Sequence, residues 1–239
     1  MDNVQIFLFP FAGGNAHSFS EIIKRLPRNF ETIAIEYPGH GARSKEPFLD
    51  DFESLLNDVA IQINSTFDKN KKIVFFGYSL GSLIAFEIIA RHMIHIDVSC
   101  FFACAQESPT INSFNQRAID WTDENVLKYT ICLGGIDQRL IDNPRFLKAL
   151  LLPTKHDYLV RESYIYHNGV ITCPVHVLYS DEDTPYLTVE KWHECCKKEV
   201  ILHDFKGNHF FINNNTDEIA EIVTNVIKTL DVKRRELYE

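Results

Sequence analysis

The strongest constraint on the fold of this chain is a regular alternation of short apolar runs with amphipathic segments, which continues almost from end to end. The apolar runs are rich in Ile, Val and Phe and predict buried strands at residues 4–9, 32–37, 72–77, 98–103, 174–179 and 199–205. Apolar residues at helical spacing predict helices at residues 18–26, 51–67, 80–93, 187–196 and 216–230. Strands without polar alternation are covered on both faces. The pattern therefore predicts an α/β fold, with a mostly parallel sheet of at least six strands flanked by helices.

The segment 107–172 interrupts this alternation. It contains no convincing strand, whereas residues 123–132 and 144–152 are predicted helices. A helical insertion between two strands of a parallel sheet can cover a site at the carboxyl ends of the strands. We therefore predict a core made of residues 1–106 and 173–239, and a helical lid made of residues 107–172.

The composition narrows the classes of function. The 239 residues carry 24 Lys+Arg against 33 Asp+Glu, a net charge of −9, and this acidic balance disfavours nucleic acid as a partner. No apolar run is long enough to span a membrane, and residues 4–11 lack the basic leader of a signal peptide. The six cysteines form no CxxC pair, which predicts reduced thiols and a cytoplasmic protein.

A GxSxG motif, Gly77-Tyr78-Ser79-Leu80-Gly81, stands at the end of the third predicted strand. The motif alone recurs by chance, but here a predicted helix follows it directly. Strand, sharp turn and helix form the context of a nucleophile elbow, which lifts the serine hydroxyl above the sheet edge. Ser79 is therefore the predicted nucleophile, and a simple tight turn is the alternative.

A serine hydroxyl needs a base to take its proton, and the base needs an acid to orient it. Among ten histidines, His209 lies directly after the last predicted strand and before the last helix. Asp183 follows the preceding strand, and Asp181 competes with it for the role of the acid. The chain order Ser79, Asp183, His209 is that of the α/β hydrolases rather than that of either protease group.

A tetrahedral oxyanion requires backbone donors. The amide of Leu80 is one by the geometry of the elbow, and the amide of Phe11 or Ala12, after the first strand, is the predicted second. A phosphate-binding loop is the alternative for this glycine-rich segment, but the GxxxxGK[ST] pattern is absent. His92 and His95 have no third ligand in view, so we predict neither a metal site nor a cofactor.

With these residues in place, the chain resembles the type II (external) thioesterases of nonribosomal peptide and polyketide assembly lines, within the α/β-hydrolase superfamily. The motifs that carry the resemblance lie in segments 9–14, 38–43, 77–81, 133–135, 143–144, 151–157, 181–183 and 207–211. In that family the second Asp of the acid loop belongs to the triad, which corresponds to Asp183. The chain has His40 where the family usually has Arg, and Tyr78 where it commonly has His.

The resemblance implies hydrolysis of acyl or peptidyl thioesters from the phosphopantetheine arms of carrier proteins, with Phe11, Tyr78 and Phe210 expected to contact substrate. We also expect a monomer. Because carrier proteins are commonly acidic and this chain has a net charge of −9, docking should rest on apolar contacts and on local basic residues, for which the candidates are Arg117, Arg139, Arg145 and Lys148. A carboxylester hydrolase or lipase with the same triad is the alternative enzyme. A catalytically idle partner of a synthase is the third hypothesis, and the intact set of Ser, Asp and His argues against it.

Overall fold

Six parallel strands form one sheet in the computed structural model, which describes residues 4–111, 113–114, 119–136 and 142–236. The strands are β1 (Val4–Phe9), β2 (Phe30–Ala34), β3 (Lys72–Tyr78), β4 (Val98–Cys104), β5 (Val175–Tyr179) and β6 (Val200–Asp204). Their order across the sheet is β2-β1-β3-β4-β5-β6, and every neighbouring pair is parallel. The predicted parallel α/β architecture is confirmed.

Helices cover both faces of the sheet. They are α1 (Ser20–Arg25), α2 (Phe52–Thr66), α3 (Leu80–Ala90), α4 (Asp123–Cys132), α5 (Pro144–Glu162), α6 (Tyr186–Val189) and α7 (Thr216–Glu236). Alternate residues of β1 enter two separate apolar cores. Phe7 and Phe9 pack with α2 and α3 on one face, whereas Ile6 and Leu8 pack with α1 and α7 on the other. This two-sided burial explains why the strands lack polar alternation.

Strand β2 begins and ends earlier than the predicted 32–37, because it lies at the edge of the sheet. An edge strand tolerates polar side chains, so Glu31 belongs to it and binds Lys71 and Gln5. Beyond the strand, the Ile35 amide still donates to the Leu8 carbonyl (2.8 Å), and Tyr37 is buried in the core. The apolar run is thus partly strand and partly a loop that packs inward.

Helix α5 continues ten residues beyond the predicted 144–152, through Pro153 to Glu162. A proline inside a helix removes one hydrogen bond and normally ends or kinks it. Here the helix is supported on the far side of Pro153 by buried side chains, among them Val160, which belongs to the core beneath α2 and α3. Tertiary packing therefore extends the helix past the residue at which local propensity predicts its end.

The insertion has an apolar cluster of its own. It joins α4 to α5 and consists of Trp121, Val126, Leu151 and Tyr158. Ala12, in the loop after β1, packs against this cluster. In the described part of the chain, no helix is long and apolar enough to cross a membrane.

Two histidines on neighbouring strands form a partly buried pair. Nδ1 of His176 on β5 lies 2.9 Å from Nε2 of His203 on β6, and their rings stack. Such a bond needs one N–H and one lone pair, so it fails when both rings are charged. Burial, together with the charge of His203, lowers the pKa of His176 to about 4.

The pair predicts an acid-sensitive fold. A depressed pKa means that the stability contributed by neutral His176 is present above the ordinary value of about 6.5 and is lost as the pH falls toward 4. Through this group alone, the free energy of unfolding should fall by about 2 kcal/mol between about pH 7.5 and about pH 5. In urea unfolding, His176→Gln should show a smaller loss over this range than the wild type. A matched change at exposed His17 should leave the loss unchanged; an equal loss in the His176 variant would contradict the assignment.

Candidate active site

Ser79 lies between β3 and α3 with φ 52° and ψ −117°, a left-handed backbone conformation that is uncommon outside glycine. Its amide donates to the Cys104 carbonyl at the end of β4 (2.8 Å). A Cβ on Gly81 would lie 2.1 Å from the Phe9 carbonyl oxygen, and one on Gly77 would lie 2.6 Å from the Ser82 Cα. The two glycines are therefore required sterically, because α3 leaves the turn in contact with β1.

His209 and Asp183 meet at the same sheet edge. His209 lies in the loop after β6, and its Nδ1 is 3.0 and 2.9 Å from the two carboxylate oxygens of Asp183, in the loop after β5. The Thr184 hydroxyl also donates to Asp183 (2.9 Å). Because a carboxylate only accepts, Nδ1 of His209 carries the proton, and Nε2 is left as the atom that can act as a base.

The neighbouring acid, Asp181, has a different environment. Its side chain is exposed and accepts a hydrogen bond from the Tyr186 amide (2.7 Å) at the start of α6. Glu182, the third carboxylate of this loop, is also exposed. Of the two aspartates that compete in the sequence, only Asp183 bonds to His209 in the described part of the chain.

A cavity of about 440 Å³ lies between the sheet edge and the insertion. Ser79, Asp183 and His209 line it together with Ala12, Leu80, Ala105, Gln106, Glu107, Ser113, Phe114, Tyr129, Leu133, Tyr158, Arg161, Thr184, Pro185 and Thr188. Both predicted sources of oxyanion donors, Leu80 and the loop at Ala12, thus border the same space as the serine. Phe11, the other candidate of that loop, lies one residue outside this lining.

The three aromatic residues expected to contact substrate instead pack around the loop that carries His209. Tyr78 is fully buried, and its hydroxyl donates to the His209 carbonyl (2.6 Å). Phe210 packs on the His209 ring at 5.3 Å and on Phe11 at 5.0 Å between ring centroids. Tyr78 is not among the residues that line the cavity, so its contact with substrate stays a prediction. Phe11 and Phe210 likewise stand outside the cavity lining.

Two charged residues of the cavity wall escaped the sequence analysis. Arg161 on α5 is 6% exposed, with its guanidinium 5.1 Å from the Phe114 ring centroid and 3.9 Å from the Glu107 carboxylate. Glu107 in turn accepts from the Ser113 amide (3.0 Å). The signal was present in α5, whose buried face carries polar residues at helical spacing: Thr154, Asp157, Tyr158 and Arg161. An ordinary core-facing helix is apolar at such positions.

The predicted basic docking residues divide into two groups. Arg145 and Lys148 lie on α5 and are exposed. Arg117 and Arg139 lie outside the described residues.

Several known proteins are similar to this chain over nearly all of its length. Thioesterase PikA5 of Streptomyces venezuelae is 27% identical over 229 residues, which cover 92% of this chain and 80% of that protein. Gramicidin S biosynthesis protein GrsT of Aneurinibacillus migulanus is 27% identical over 225 residues, covering 92% and 87%. The solved structure of ClbQ from the colibactin NRPS/PKS pathway has a TM-score of 0.87 and 20% identity, and covers 97% of this chain and 99% of that one. At 20% identity, this structural similarity shows the fold of the chain alone.

The Thioesterase domain family matches residues 4–227. The match includes all six strands, the elbow at Ser79 and the loops that carry Asp183 and His209. This chain is therefore a member of the thioesterase family, built on the α/β-hydrolase fold.

Proposed function

We propose that this enzyme hydrolyses acyl and peptidyl thioesters from the phosphopantetheine arms of carrier proteins in polyketide or nonribosomal peptide synthesis, either as editing or as release of intermediates. The observation that carries the proposal is the bond from His209 to Asp183 beside a cavity that Ser79 also lines. The names of the similar proteins, a gramicidin S biosynthesis protein and a protein of an NRPS/PKS pathway, support the assembly-line context.

The proposed reaction needs only groups of this chain and water. Nε2 of His209 takes the proton of Ser79 as Oγ attacks the thioester carbonyl, and the oxyanion accepts N–H bonds from Leu80 and from Ala12 or Phe11. Collapse expels the thiolate, which receives that proton from His209 and leaves acyl-Ser79. A water molecule then attacks the acyl-enzyme, with His209 again as the base. The second collapse releases the carboxylic acid and returns the proton to Ser79.

We further propose that residues 107–172 act as the lid over this site. Tyr129 of α4 and Tyr158 and Arg161 of α5 form part of the cavity wall, so the insertion bounds the space in which an acyl group would lie. We expect this space between insertion and core to admit a long, thin phosphopantetheine arm.

We propose a cytoplasmic monomer as the working form. The six cysteines are free thiols, as is usual in a reducing compartment, and the proposed carrier partners are themselves substrates rather than subunits.

Replacing the nucleophile tests the mechanism. Ser79→Ala should lower kcat for a butyryl N-acetylcysteamine thioester more than about a thousandfold, because removal of a triad serine removes the covalent step. Alanine is smaller than serine and keeps the backbone of the turn, so the circular dichroism and the urea unfolding midpoint should stay close to those of the wild type. A variant that retained more activity would show that Ser79 is not the nucleophile.

The two aspartates of the acid loop provide a matched pair. Asp183→Asn should lose activity by about a thousandfold or more, since an amide can stabilise the wrong tautomer of His209. Asp181→Asn should change activity less than about threefold, because its remaining carbonyl oxygen can still accept from the Tyr186 amide. Steady-state hydrolysis of the same thioester separates them, and the reverse ranking would move the acid to Asp181.

We propose that carrier proteins dock in part through the exposed Arg145 and Lys148 of α5, which predicts an effect that depends on the substrate. Exposed charges contribute about 0.2–1 kcal/mol each, so Arg145→Ala with Lys148→Ala should raise KM for an acyl-carrier substrate about two- to thirtyfold. The small free thioester should be hydrolysed at the wild-type rate. As the control, Lys197→Ala with Lys198→Ala removes two exposed charges before β6, at the opposite sheet edge, and should affect neither substrate. Equal losses on both substrates would argue against docking at α5.

Comparing the acyl-carrier thioester with the matching oxygen ester tests the substrate class. A higher kcat/KM on the thioester supports the proposal. A preference for the oxygen ester would favour the carboxylester hydrolase.

A further inference from the structure

A buried carboxylate of the insertion connects two loops of the core. Oδ2 of Asp157 on α5 accepts the Gly13 amide (2.6 Å), in the loop after β1, and lies 3.0 Å from Nε2 of His40, in the turn after β2. Asp157 is 2% exposed and His40 is 4% exposed. A buried carboxylate is expensive unless it is paired, so these two contacts are what hold it in place.

The loop after β1 lies directly against α5. Gly13 has φ +77°, and a Cβ on it would lie 2.1 Å from the hydroxyl oxygen of Thr154, one helical turn before Asp157. The Gly14 amide closes a turn onto the Phe11 carbonyl (2.8 Å). Because the Gly13 amide is committed to Asp157, the oxyanion donor of this loop must be an earlier amide, and Ala12 lines the cavity.

The hydrogen bonds of His40 define its protonation. Nδ1 lies 2.9 Å from the Pro38 carbonyl oxygen, which can only accept, so Nδ1 carries a proton. Oδ2 of Asp157 already accepts from Gly13, and a bond between it and Nε2 therefore requires a second proton between the two residues. Without that proton, His40 and Asp157 cannot form the hydrogen bond between Nε2 and Oδ2.

The charged groups around His40 favour the protonated ring. Burial alone would lower the pKa of His40, but the hydrogen bond and charge of Asp157, the Pro38 carbonyl and the charge of Glu36 raise it above its ordinary value. The Tyr37 ring also faces His40; its pKa is raised well above the usual range by burial and then by Asp157, so it stays neutral. Behind the Phe48 ring, His156 pairs with Asp50.

We propose that His40 and Asp157 form a positioning pair, which holds the loop at Gly13 so that the preceding amide faces the oxyanion, and which does so only while His40 is protonated. The proposal rests on the proposed function in one respect, that Ser79 is the nucleophile. Neither residue lines the cavity, so both act through the loop.

The sign of the pH effect follows from the raised pKa. Below the ordinary value the pair is fully formed, and its contribution is lost as the pH rises through the pKa of His40 in the folded protein. A neutral His40 then presents a lone pair to the carboxylate, and Asp157 no longer fixes the loop. The rate of reaction at Ser79 should therefore fall at the alkaline end, as His40 loses its proton.

The experiment measures the rate at which a fluorophosphonate inactivates the enzyme. This reagent phosphonylates the active serine, whatever acyl group the enzyme prefers. The rate would be measured from about pH 6 to about pH 9 for wild type, His40→Gln and His40→Arg. His40→Gln should be about ten- to a hundredfold slower than wild type near neutral pH, since a displaced oxyanion donor costs that much, and the two rates should converge at alkaline pH, where His40 of the wild type is neutral. His40→Arg keeps its charge throughout, so it should retain the neutral-pH rate and lose any alkaline decline.

Two further variants serve as a second test and as a control. Asp157→Asn conserves volume and should be slow without an alkaline decline, which keeps the test decisive if arginine does not fit the buried site. His156→Gln changes the neighbouring histidine of α5 and should leave the profile of the wild type unchanged. Circular dichroism and unfolding midpoints at each pH separate loss of positioning from loss of fold.

Wild-type rates in His40→Gln, or an alkaline decline in His40→Arg equal to that of the wild type, would overturn the positioning pair while the proposed function stood. Failure of the fluorophosphonate to label wild-type protein in a Ser79-dependent way would instead overturn the proposed function.

Discussion

The left-handed backbone of Ser79 is the constraint on which the site depends. Such a conformation costs about 1–3 kcal/mol and persists only where the surroundings over-determine it. The backbone of Cys104 supplies that restraint, because its carbonyl accepts from the Ser79 amide and the Ser82 hydroxyl, and its amide donates to the same hydroxyl. The absence of side chains at Gly77 and Gly81 lets α3 approach closely enough for these bonds to form. The elbow thus uses the end of β4 as its support.

Parallel topology then brings distant segments of the chain to the elbow. Since all six strands run in one direction, the loops after β1, β5 and β6 emerge at the edge where β3 delivers Ser79. The Tyr78 hydroxyl holds the backbone of His209 from inside the core, while Asp183 orients its ring from the neighbouring loop. Tyr78, the residue before the nucleophile, therefore helps to position the base.

Sequence patterns predicted the parts of this arrangement that depend on local periodicity and chain order. The central strands and the assignment of Ser79, His209 and Asp183 to one edge follow from apolar runs and from the direction of parallel strands. The patterns did not resolve β2, where edge exposure admits Glu31, or α5, where packing carries the helix past Pro153. They also did not show that Tyr78 is buried, because an aromatic side chain beside a nucleophile has the same sequence signature whether it points outward or into the core.

The polar face of α5 went unrecognised for a different physical reason. Asp157 and Arg161 are buried, and a single helical pattern cannot show that their partners, His40, Gly13 and Glu107, come from three separate loops. Removing one partner of a buried ionic pair typically costs about 3–5 kcal/mol, so this face is unsuited to a freely swinging lid. The aromatic cluster of the insertion and the bond from Asp157 to Gly13 both fasten α5 to the loop at Ala12. The attachment of the middle of α5 to the core and the placement of the loop at Ala12 are therefore one and the same interaction.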